Sequence, residues 1–355
     1  MARAFINRFQ GGFPVTERPF SRVAAKLGTT ESHLIQMTAG LLKSGALSRF
    51  GPLYHATAAG GQQTLAAMAI PESRYESVAE WVNALPEVAH NYRREHELNM
   101  WFVLASEQAE RVALTLDRIR EHTSLDVLDM PKLREFRLGL WLHLDEQGGV
   151  SSVPVPPAHR GIRSEVPYEL DPLDRAIMAA TQEGLPMHPR PYAQVAKAIG
   201  EAEPAVLQRL RLMLDNGVIR RMGAIPNHYR LGLRANGMSV WDVDEDQLEA
   251  LGSAVGSLDF VSHCYQRPRH GKAWPYNLFA MVHGMDRDEV HAKTRRIKAQ
   301  LGPACRGHQV LFSSRILKKT GLRIASGTPA ATTAPEARKA STTHTSDSGD
   351  APCFV

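Results

Sequence analysis

The chain has 355 residues, of which 43% are hydrophobic and 7% aromatic, and its formal net charge is +5 at pH 7. This composition is typical of a globular protein, and the length predicts two domains or a few small ones. The three cysteines form no CxxC pair, which argues against a disulfide framework and a thiolate zinc site. There is no apolar run of about 18 residues and no secretory signal, so we expect a cytoplasmic protein without a membrane partner. The mild positive charge fits nucleic acid and an anionic small molecule equally well.

The main feature of the sequence is an internal repeat. The block from Phe13 to Gly51 aligns without a gap with the block from Leu185 to Gly223. The pairs that coincide include Arg18 with Arg190, and Arg49 with Arg221. Self-similarity of this kind indicates a duplicated structural unit.

Each block is predicted to be a winged helix-turn-helix. Helices that stop at a glycine and are joined by a short turn are typical of this motif. The predicted helices span residues 2–10, 20–27 and 31–44 in the first copy, and 171–182, 192–199 and 203–216 in the second. Residues 46–50 and 218–222 suit the first strand of a wing.

After each block the pattern predicts a ferredoxin-like βαββαβ domain, so the fold class is α+β. In the first copy the elements are predicted at 64–70, 72–85, 87–93, 98–105, 107–122 and 135–144. In the second copy they are predicted at 237–243, 245–257, 260–266, 276–283, 286–301 and 309–313 with an extension.

These predictions divide the chain into six segments. The helix-turn-helix units occupy 1–55 and 169–228, and the ferredoxin-like domains occupy 56–146 and 229–326. Residues 147–168, rich in Gly, Ser and Pro, are predicted to be a linker. Residues 327–355, rich in Ala, Thr and Ser, are predicted to be a disordered tail.

The predicted recognition helices are poorly suited to DNA. Both begin with acidic residues, Glu31 in one and Glu201 and Glu203 in the other, whereas a DNA-reading helix needs basic or amide side chains there. The clear basic cluster lies in the wings, at Arg49, Arg220 and Arg221. We therefore expect no nucleic-acid partner and a packing role for these segments.

One strand of each ferredoxin-like domain carries the same row of functional side chains. Because side chains alternate along a strand, His90, Tyr92 and Arg94 share one face, and the row extends towards His96. His263, Tyr265 and Arg267 form the equivalent row, which extends towards Arg269. A ferredoxin-like sheet has helices on one face, so we predict that both rows lie on the open face, where a ligand binds.

The residue types indicate the chemistry of that ligand. Arginine forks match carboxylates, and tyrosine and tryptophan provide flat apolar walls. Clustered cationic and titratable groups are typical of a functional site. These features predict a flat, polycarboxylated ligand. A metal site is disfavoured, because no carboxylates are suitably spaced from His90 and His96.

The motifs that surround these rows resemble a known family. The stretch from His90 to His96, with Asn99 to Phe102, is similar to the D-type subunit of the siroheme decarboxylases of haem d1 biosynthesis, which are relatives of the Lrp/AsnC regulators. The stretches Gly223 to Tyr229, Ser262 to Tyr265 and Trp274 to Met281 are similar to the L-type subunit. The resemblance covers about residues 1–325 and implies a fusion of the two subunits.

The resemblance implies a carboxy-lyase that removes CO2 from the acetate side chains at C12 and C18 of siroheme, giving 12,18-didecarboxysiroheme. The iron tetrapyrrole would be the substrate, and no cofactor would be required. Such a reaction needs an electron sink, which the tetrapyrrole itself can supply, and a proton donor.

We predict catalytic roles for His90, Tyr92, Arg94, His96, His263 and Tyr265. We predict substrate binding by Arg93, Asn99, Trp101, Arg267, Arg269, Tyr276 and Asn277. The two rows would be related but unequal sites. The sequence leaves open which half turns over substrate and whether a histidine contacts the iron.

The resemblance also implies that the two copies pair within one chain as a pseudo-dimer, and a homodimer of chains is a further option. Two alternative functions are a transcription regulator that senses a small ligand and a haem sensor without catalysis.

Overall fold

The computed structural model describes residues 1–55, 61–106, 108–159 and 168–319. The predicted tail at 327–355 lies outside these residues. The α+β class and the duplicated plan, a helix-turn-helix followed by a ferredoxin-like domain, are confirmed.

The first copy contains α1 Ala2–Phe9, α2 Pro19–Leu27, α3 Glu31–Lys43, β1 Leu47–Tyr54, β2 Gln62–Met68, α4 Tyr75–Ala84, β3 Val88–Arg94, β4 Met100–Ser106, α5 Ala109–Thr123, β5 Val127–Pro131 and β6 Arg134–Leu138. A hairpin follows, formed by β7 Trp141–Leu144 and β8 Val150–Val153. The second copy contains α6 Pro172–Thr181, α7 Pro191–Ile199, α8 Glu203–Asp215, β9 Ile219–Pro226, β10 Ala235–Val243, α9 Leu248–Ser257, β11 Val261–Gln266, β12 Leu278–Gly284, α10 Arg287–Leu301 and β13 Cys305–Lys319.

The two helix-turn-helix units pack as one body. Gly28 and Gly200 end α2 and α7 in the left-handed conformation, as their glycine stops predicted. The strands expected to begin separate wings instead pair with each other, β1 antiparallel to β9, with Gly51 opposite Gly223. A side chain at Gly223 would place its Cβ only 2.2 Å from the Phe9 carbonyl oxygen, so this close approach requires glycine.

The described residues of the two ferredoxin-like domains form one nine-stranded sheet of order β5-β2-β4-β3-β13-β10-β12-β11-β6. Within each copy this is the ferredoxin-like order of strands. The two edge strands, β5 and β6, are separated in the chain by only Lys132 and Leu133. The sheet therefore curls so that the end of one edge strand lies near the start of the other, and strands of both copies line a common interior.

The copies exchange the ends of their last strands, which corrects the predicted single strand at 135–144. The predicted strand merged two strands and missed a third. Strand β5, which lies before the predicted range, is the true fourth strand of copy one, whereas β6 pairs with β11 of copy two and β7 belongs to the hairpin. In return, the end of β13 pairs with β3, with Lys319 opposite His90. Hydrophobic alternation shows that a strand exists but not which neighbour it joins.

The predicted linker is partly structured. Its residues 150–153 form β8, which pairs with β7. The buried Gln10, the residue that follows α1, holds this hairpin, since its amide donates to the Leu142 carbonyl at 2.6 Å and accepts from the Leu142 N–H at 2.9 Å. The Gly, Ser and Pro content did not reveal β8, because it depends on pairing with β7.

Helices cover the outer surface of the curled sheet. Helices α4 and α5 pack on the first copy's strands, and α9 and α10 on the second's. The inner face has its own apolar cluster with members from both copies, among them Trp101, Trp274 and Phe279. Among the described residues, no helix is both long and apolar enough to cross a membrane.

Candidate active site

A cavity of about 510 Å³ lies against the inner face of the sheet, a size typical of small-molecule sites. Both copies line it, and β1 and β9 of the helix-turn-helix body contribute to its wall. Seven of the predicted site residues line this cavity: His90, Tyr92, Arg94, Trp101, His263, Tyr265 and Arg267. The two rows, which were predicted to be related but unequal sites, therefore face a single space.

The first row lies on β3. The rings of His90 and Tyr92 have centroids 6.3 Å apart, and the guanidinium carbon of Arg94 lies 5.8 Å from the Tyr92 ring centroid. Arg94 is only 8% exposed, and its Nη1 donates to the Leu311 carbonyl at 2.8 Å. Its Nε and the Nδ1 of His90 are buried and have no hydrogen-bond partner among the described residues. Unpaired buried groups of this kind are expected where a ligand completes the site.

The environment of this row keeps His90 and Tyr92 neutral near pH 7. Burial, with a contribution from Lys319, lowers the pKa of His90 to about 4. Burial also raises the pKa of Tyr92 to about 12. The same desolvation lowers the pKa of Arg94 to about 10, so the guanidinium keeps its charge although burial disfavours it.

The second row, on β11, repeats this geometry. The ring centroids of His263 and Tyr265 are 6.1 Å apart, and the Arg267 guanidinium carbon lies 5.2 Å from the Tyr265 ring centroid. Arg267 donates to the Met130 carbonyl of the first copy. Burial lowers the pKa of His263 to about 3 and of Arg267 to about 10, and it raises the pKa of Tyr265.

The cavity is strongly cationic. The described lining residues include no aspartate or glutamate. They include six lysines and arginines: Arg49, Arg94, Lys132, Arg220, Arg267 and Lys319. Of these, Lys132 already has an acidic neighbour, since its Nζ lies 2.6 Å from a Glu135 carboxylate oxygen. Because buried cations without anionic partners are unfavourable, the arrangement favours an anionic ligand.

Two of these cations come from the predicted wings. Arg49 of β1 donates to the Gln182 carbonyl at 2.8 Å, and its buried Nε has no partner among the described residues. Arg220 of β9 lies close enough to His263 to lower the pKa of that imidazole, after the larger effect of burial. Burial lowers the pKa of both arginines. The sequence showed these residues as a basic cluster but not that they turn towards the cavity.

Three histidines that the prediction omitted also line the cavity: His55, His228 and His283. The ring centroids of His228 and His283 are 5.1 Å apart. Strand alternation could have revealed His283, since it lies on β12 with the cavity residues Phe279 and Met281 at two-residue spacing.

Three predicted residues of the first copy lie outside the cavity lining. Arg93 has the opposite strand parity to Arg94 and forms an exposed ion pair with Glu72 at 2.7 Å. Asn99 binds the backbone of Ile70 through both ends of its amide, at 3.0 and 2.8 Å. His96 follows the end of β3, where alternation is lost, and its Nδ1 accepts from the Leu98 N–H at 2.9 Å.

The three remaining predicted residues, in the second copy, also lie away from the lining. Arg269 pairs with Asp242 at 2.5 Å, and the buried Asn277 bonds the backbone of Val243 in both directions at 3.0 Å. Tyr276 packs edge-on against Trp274, with centroids 4.9 Å apart. The structure thus corrects the predicted placement of all six residues, because turns and outward strand positions direct them elsewhere.

The geometry defines what the site can do. Its cations can hold several carboxylates, and its neutral tyrosines and histidines can donate or accept protons beside them. Among the described residues, no group of three or more His, Cys, Asp or Glu side chains is arranged to hold a metal ion.

Comparison with known proteins identifies the domains. The AsnC-like ligand binding domain matches residues 58–137 and 230–318, and the helix-turn-helix domain of NirDL-like siroheme decarboxylases matches residues 2–47 and 174–220. These matches coincide with the two duplicated halves.

Similar proteins cover nearly the whole chain. A siroheme decarboxylase of Hydrogenobacter thermophilus is 33% identical over 326 residues, which is 90% of this chain and 93% of the relative. The NirH subunit of the siroheme decarboxylase of Paracoccus pantotrophus is 55% identical over 157 residues, which is 44% of this chain and 98% of the subunit. The crystal structure of the siroheme decarboxylase NirDL in co-complex with an iron-uroporphyrin III analogue superposes with a TM-score of 0.67 at 29% identity, over 91% of this chain and 93% of that one. The chain therefore belongs to the siroheme decarboxylase family.

Proposed function

We propose that this protein decarboxylates siroheme, removing CO2 from the acetate side chains at C12 and C18 to give 12,18-didecarboxysiroheme. The observation that carries the proposal is the cavity shared by both copies, with six cationic side chains, no lining carboxylate among the described residues, and two His-Tyr-Arg rows. A flat macrocycle that bears several carboxylates is complementary to such a space.

The arginines hold the carboxylates that stay on the ring. Arg94 and Arg267 approach from the sheet, and Arg49 and Arg220 approach from the paired wing strands. The buried Nε atoms of Arg49, Arg94 and Arg267 have no partner among the described residues, so each can donate to a carboxylate without losing a bond within the protein. The helix-turn-helix body then serves as a wall of the site and has no nucleic-acid partner.

The bond-breaking step needs a desolvated carboxylate and a proton. When the bond between the methylene carbon and the carboxylate breaks, CO2 leaves and its electron pair passes into the adjoining pyrrole ring. A proton delivered to the methylene carbon then gives the methyl group, so each CO2 lost consumes one proton. His90 and His263, with Tyr92 and Tyr265 beside them, are the candidate proton donors, one in each row.

Substrate binding prepares these donors. In the free protein burial disfavours the protonated form of both histidines, as their lowered pKa values show. Carboxylates that enter the cavity add negative charge near the imidazoles and raise both pKa values. Because the two copies contribute to one cavity, we propose that they act as a fused dimer within the chain.

The test is siroheme turnover by the His90→Gln and His263→Gln variants of the full chain, followed anaerobically by mass spectrometry. We expect at least one variant to lose turnover by about 100-fold or more, the range of general acid catalysis. The matched control is His33→Gln, on an exposed position of α3, which should behave as the unmodified protein. Full activity in both cavity variants would overturn the assignment.

A further inference from the structure

The two cavity histidines differ in what lies behind them. The Oγ of Ser262 is 2.9 Å from Nδ1 of His263 and 2.7 Å from Nε2 of His283. Nδ1 of His283 in turn bonds to Oδ1 of Asn236. All four residues are at least nine-tenths buried or line the cavity, so the row is a continuous hydrogen-bonded chain inside the protein.

A bulge makes this contact possible. The pairing of β11 with β12 shifts between Val261 and His263, which are opposite Val282 and Met281. An irregularity of this kind lets adjacent residues project to the same side of the sheet. Ser262 can therefore reach both the histidine that follows it in the chain and His283 on the neighbouring strand.

The chemistry of the end group fixes the direction of the chain. The amide oxygen of Asn236 only accepts, so Nδ1 of His283 carries the proton and its Nε2 is an acceptor. The Ser262 hydroxyl then donates to Nε2 of His283 and accepts from Nδ1 of His263. The more distant carbonyl of Met281, at 3.4 Å, is a weaker alternative for that hydroxyl. Neutral His263 is thereby held with its proton on Nδ1, and Nε2 is left for the cavity.

The amide oxygen of Asn236 is the atom that contacts Nδ1 of His283. The amide nitrogen of Asn236 is buried and has no hydrogen-bond partner among the described residues.

The described residues of the first copy form no such chain. In the first copy Val103 is opposite His90, and in the second Met281 is opposite His263. Two residues further along these strands, Ala105 therefore occupies the position that corresponds to His283. Gln63, which pairs with Ala105, corresponds to Asn236, which pairs with His283. Ala89, which precedes His90, corresponds to Ser262, which precedes His263. Both relay positions next to the histidine are thus alanine, and Nδ1 of His90 is buried without a partner among the described residues.

We propose that Asn236, His283 and Ser262 are positioning residues that hold the proton of neutral His263 on Nδ1, so that Nε2 of His263, and not His90, delivers the proton that completes decarboxylation. This inference rests on the proposed siroheme decarboxylation and names the half of the chain that supplies the proton. The first copy then serves to bind and desolvate the tetrapyrrole.

The relay suits a donor that must be used twice. Protonated His263 gives the proton on Nε2 to the methylene carbon as CO2 departs, and the neutral imidazole that remains already has its proton on Nδ1. No tautomer change is needed before Nε2 takes another proton from water. The titratable and charged groups that face His263 are Arg137, Arg220, Arg221, His228 and His283, and Ser262→Ala leaves all of them in place.

The test compares Ser262→Ala with Ser239→Ala in the full chain. Both remove one hydroxyl from a fully buried serine in the same sheet. Ser239 bonds to the Ala280 carbonyl at 2.8 Å and to the Trp241 indole at 3.0 Å but does not line the cavity. Alanine already occupies the equivalent of position 262 in the first copy, so Ser262→Ala should fold, and Ser262→Thr tests rescue by a hydroxyl.

The first readout is the tautomer of His263, seen in nitrogen-15 spectra of histidine-labelled protein and assigned by the signal that is missing in His263→Gln. We expect the Nδ1–H form in the unmodified protein and Ser239→Ala, and a shift towards Nε2–H in Ser262→Ala. An Nε2–H form in the unmodified protein would overturn the inference. This readout stands even if siroheme is not turned over, in which case only the proposed function fails.

The second readout is anaerobic siroheme turnover and its pH profile. We expect Ser262→Ala to lower kcat roughly 10- to 100-fold, the usual effect of losing an orienting hydrogen bond, with siroheme affinity unchanged and the limb of the profile that reports His263 displaced. Ser262→Thr should recover turnover. Equal kcat and pH profiles for Ser262→Ala and Ser239→Ala, in an enzyme that turns over siroheme, would overturn the inference.

Discussion

Replacing Arg94 with methionine should leave the stability of the free protein nearly unchanged and weaken ligand binding. Burial lowers the pKa of Arg94 from 12.5 to about 10. At about 1.4 kcal/mol per pH unit, the buried charge is unfavourable by about 3 kcal/mol near neutral pH. Because the folded-state pKa is the lower one, this penalty is fully present below pH 10 and disappears only as the pH rises towards 12.5.

Arg94→Met removes that penalty but also the hydrogen bond to the Leu311 carbonyl, which contributes roughly 1.5–3 kcal/mol for a charged donor. The two effects nearly cancel, so the Tm of the ligand-free protein should stay the same or rise slightly. Siroheme, in contrast, loses a charge-assisted bond of roughly 1.5–3 kcal/mol, which weakens binding roughly 10- to 150-fold. Tm is measured by circular dichroism, and affinity by quenching of tryptophan fluorescence, since Trp101 lines the cavity.

The matched control is Arg93→Met, one residue away on the opposite face of β3. Its ion pair with Glu72 is largely exposed, so its loss should change stability by less than about 1 kcal/mol and leave affinity unchanged. If Arg94→Met destabilised the free protein strongly and bound siroheme normally, Arg94 would be a structural residue and the reasoning from its unpaired Nε would be refuted.

Three further predictions follow from the cavity. Arg220→Met should weaken siroheme binding roughly 10- to 150-fold, measured by fluorescence titration. Arg211→Met, at an exposed position of α8, is the control and should not weaken it. Equal siroheme affinities of the two variants would remove the wing strands from the site. The ligand-free protein should lose stability as pH falls from about 6.5 towards 4. In the folded state the pKa values of His90, His263 and His283 are about 4, 3 and 4, so the unfolded chain, with histidine pKa values near 6.5, binds more protons in this window. Each histidine accounts for a loss of about 2 kcal/mol at pH 5, and a Tm constant over this window would contradict the burial of these groups. Siroheme binding should take up protons and become tighter as pH falls from 8 to 6, because the bound carboxylates raise the pKa values of these histidines. Calorimetry in buffers of different ionisation enthalpy measures this uptake, and proton release on binding would contradict it.

Much of the site could be predicted because strand alternation is a short-range rule. His90, Tyr92 and Arg94 are on consecutive inward positions of one regular strand, and the second row repeats them. The rule fails where the strand ends. His96 lies in the turn after β3, and Arg269 lies beyond β11, so neither follows the parity of its row.

The features that the sequence did not reveal depend on distant segments. The exchange of β6 and β13 between copies brings Lys319 beside His90, over more than 200 residues of chain. The pairing of β1 with β9 directs Arg49 and Arg220 into the cavity, although the sequence shows only a basic wing. The two related but unequal sites of the prediction therefore share one cavity, because the copies complete each other through contacts that local patterns do not encode.

The most direct test of the account is to mix the purified full-length chain with siroheme under anaerobic conditions and to follow the tetrapyrrole by mass spectrometry. We predict two successive losses of the mass of CO2, with the iron macrocycle otherwise unchanged. Siroheme that binds in the cavity but keeps its full mass would contradict the central claim, and salt-sensitive binding of the same sample to a defined DNA operator would favour a regulator instead.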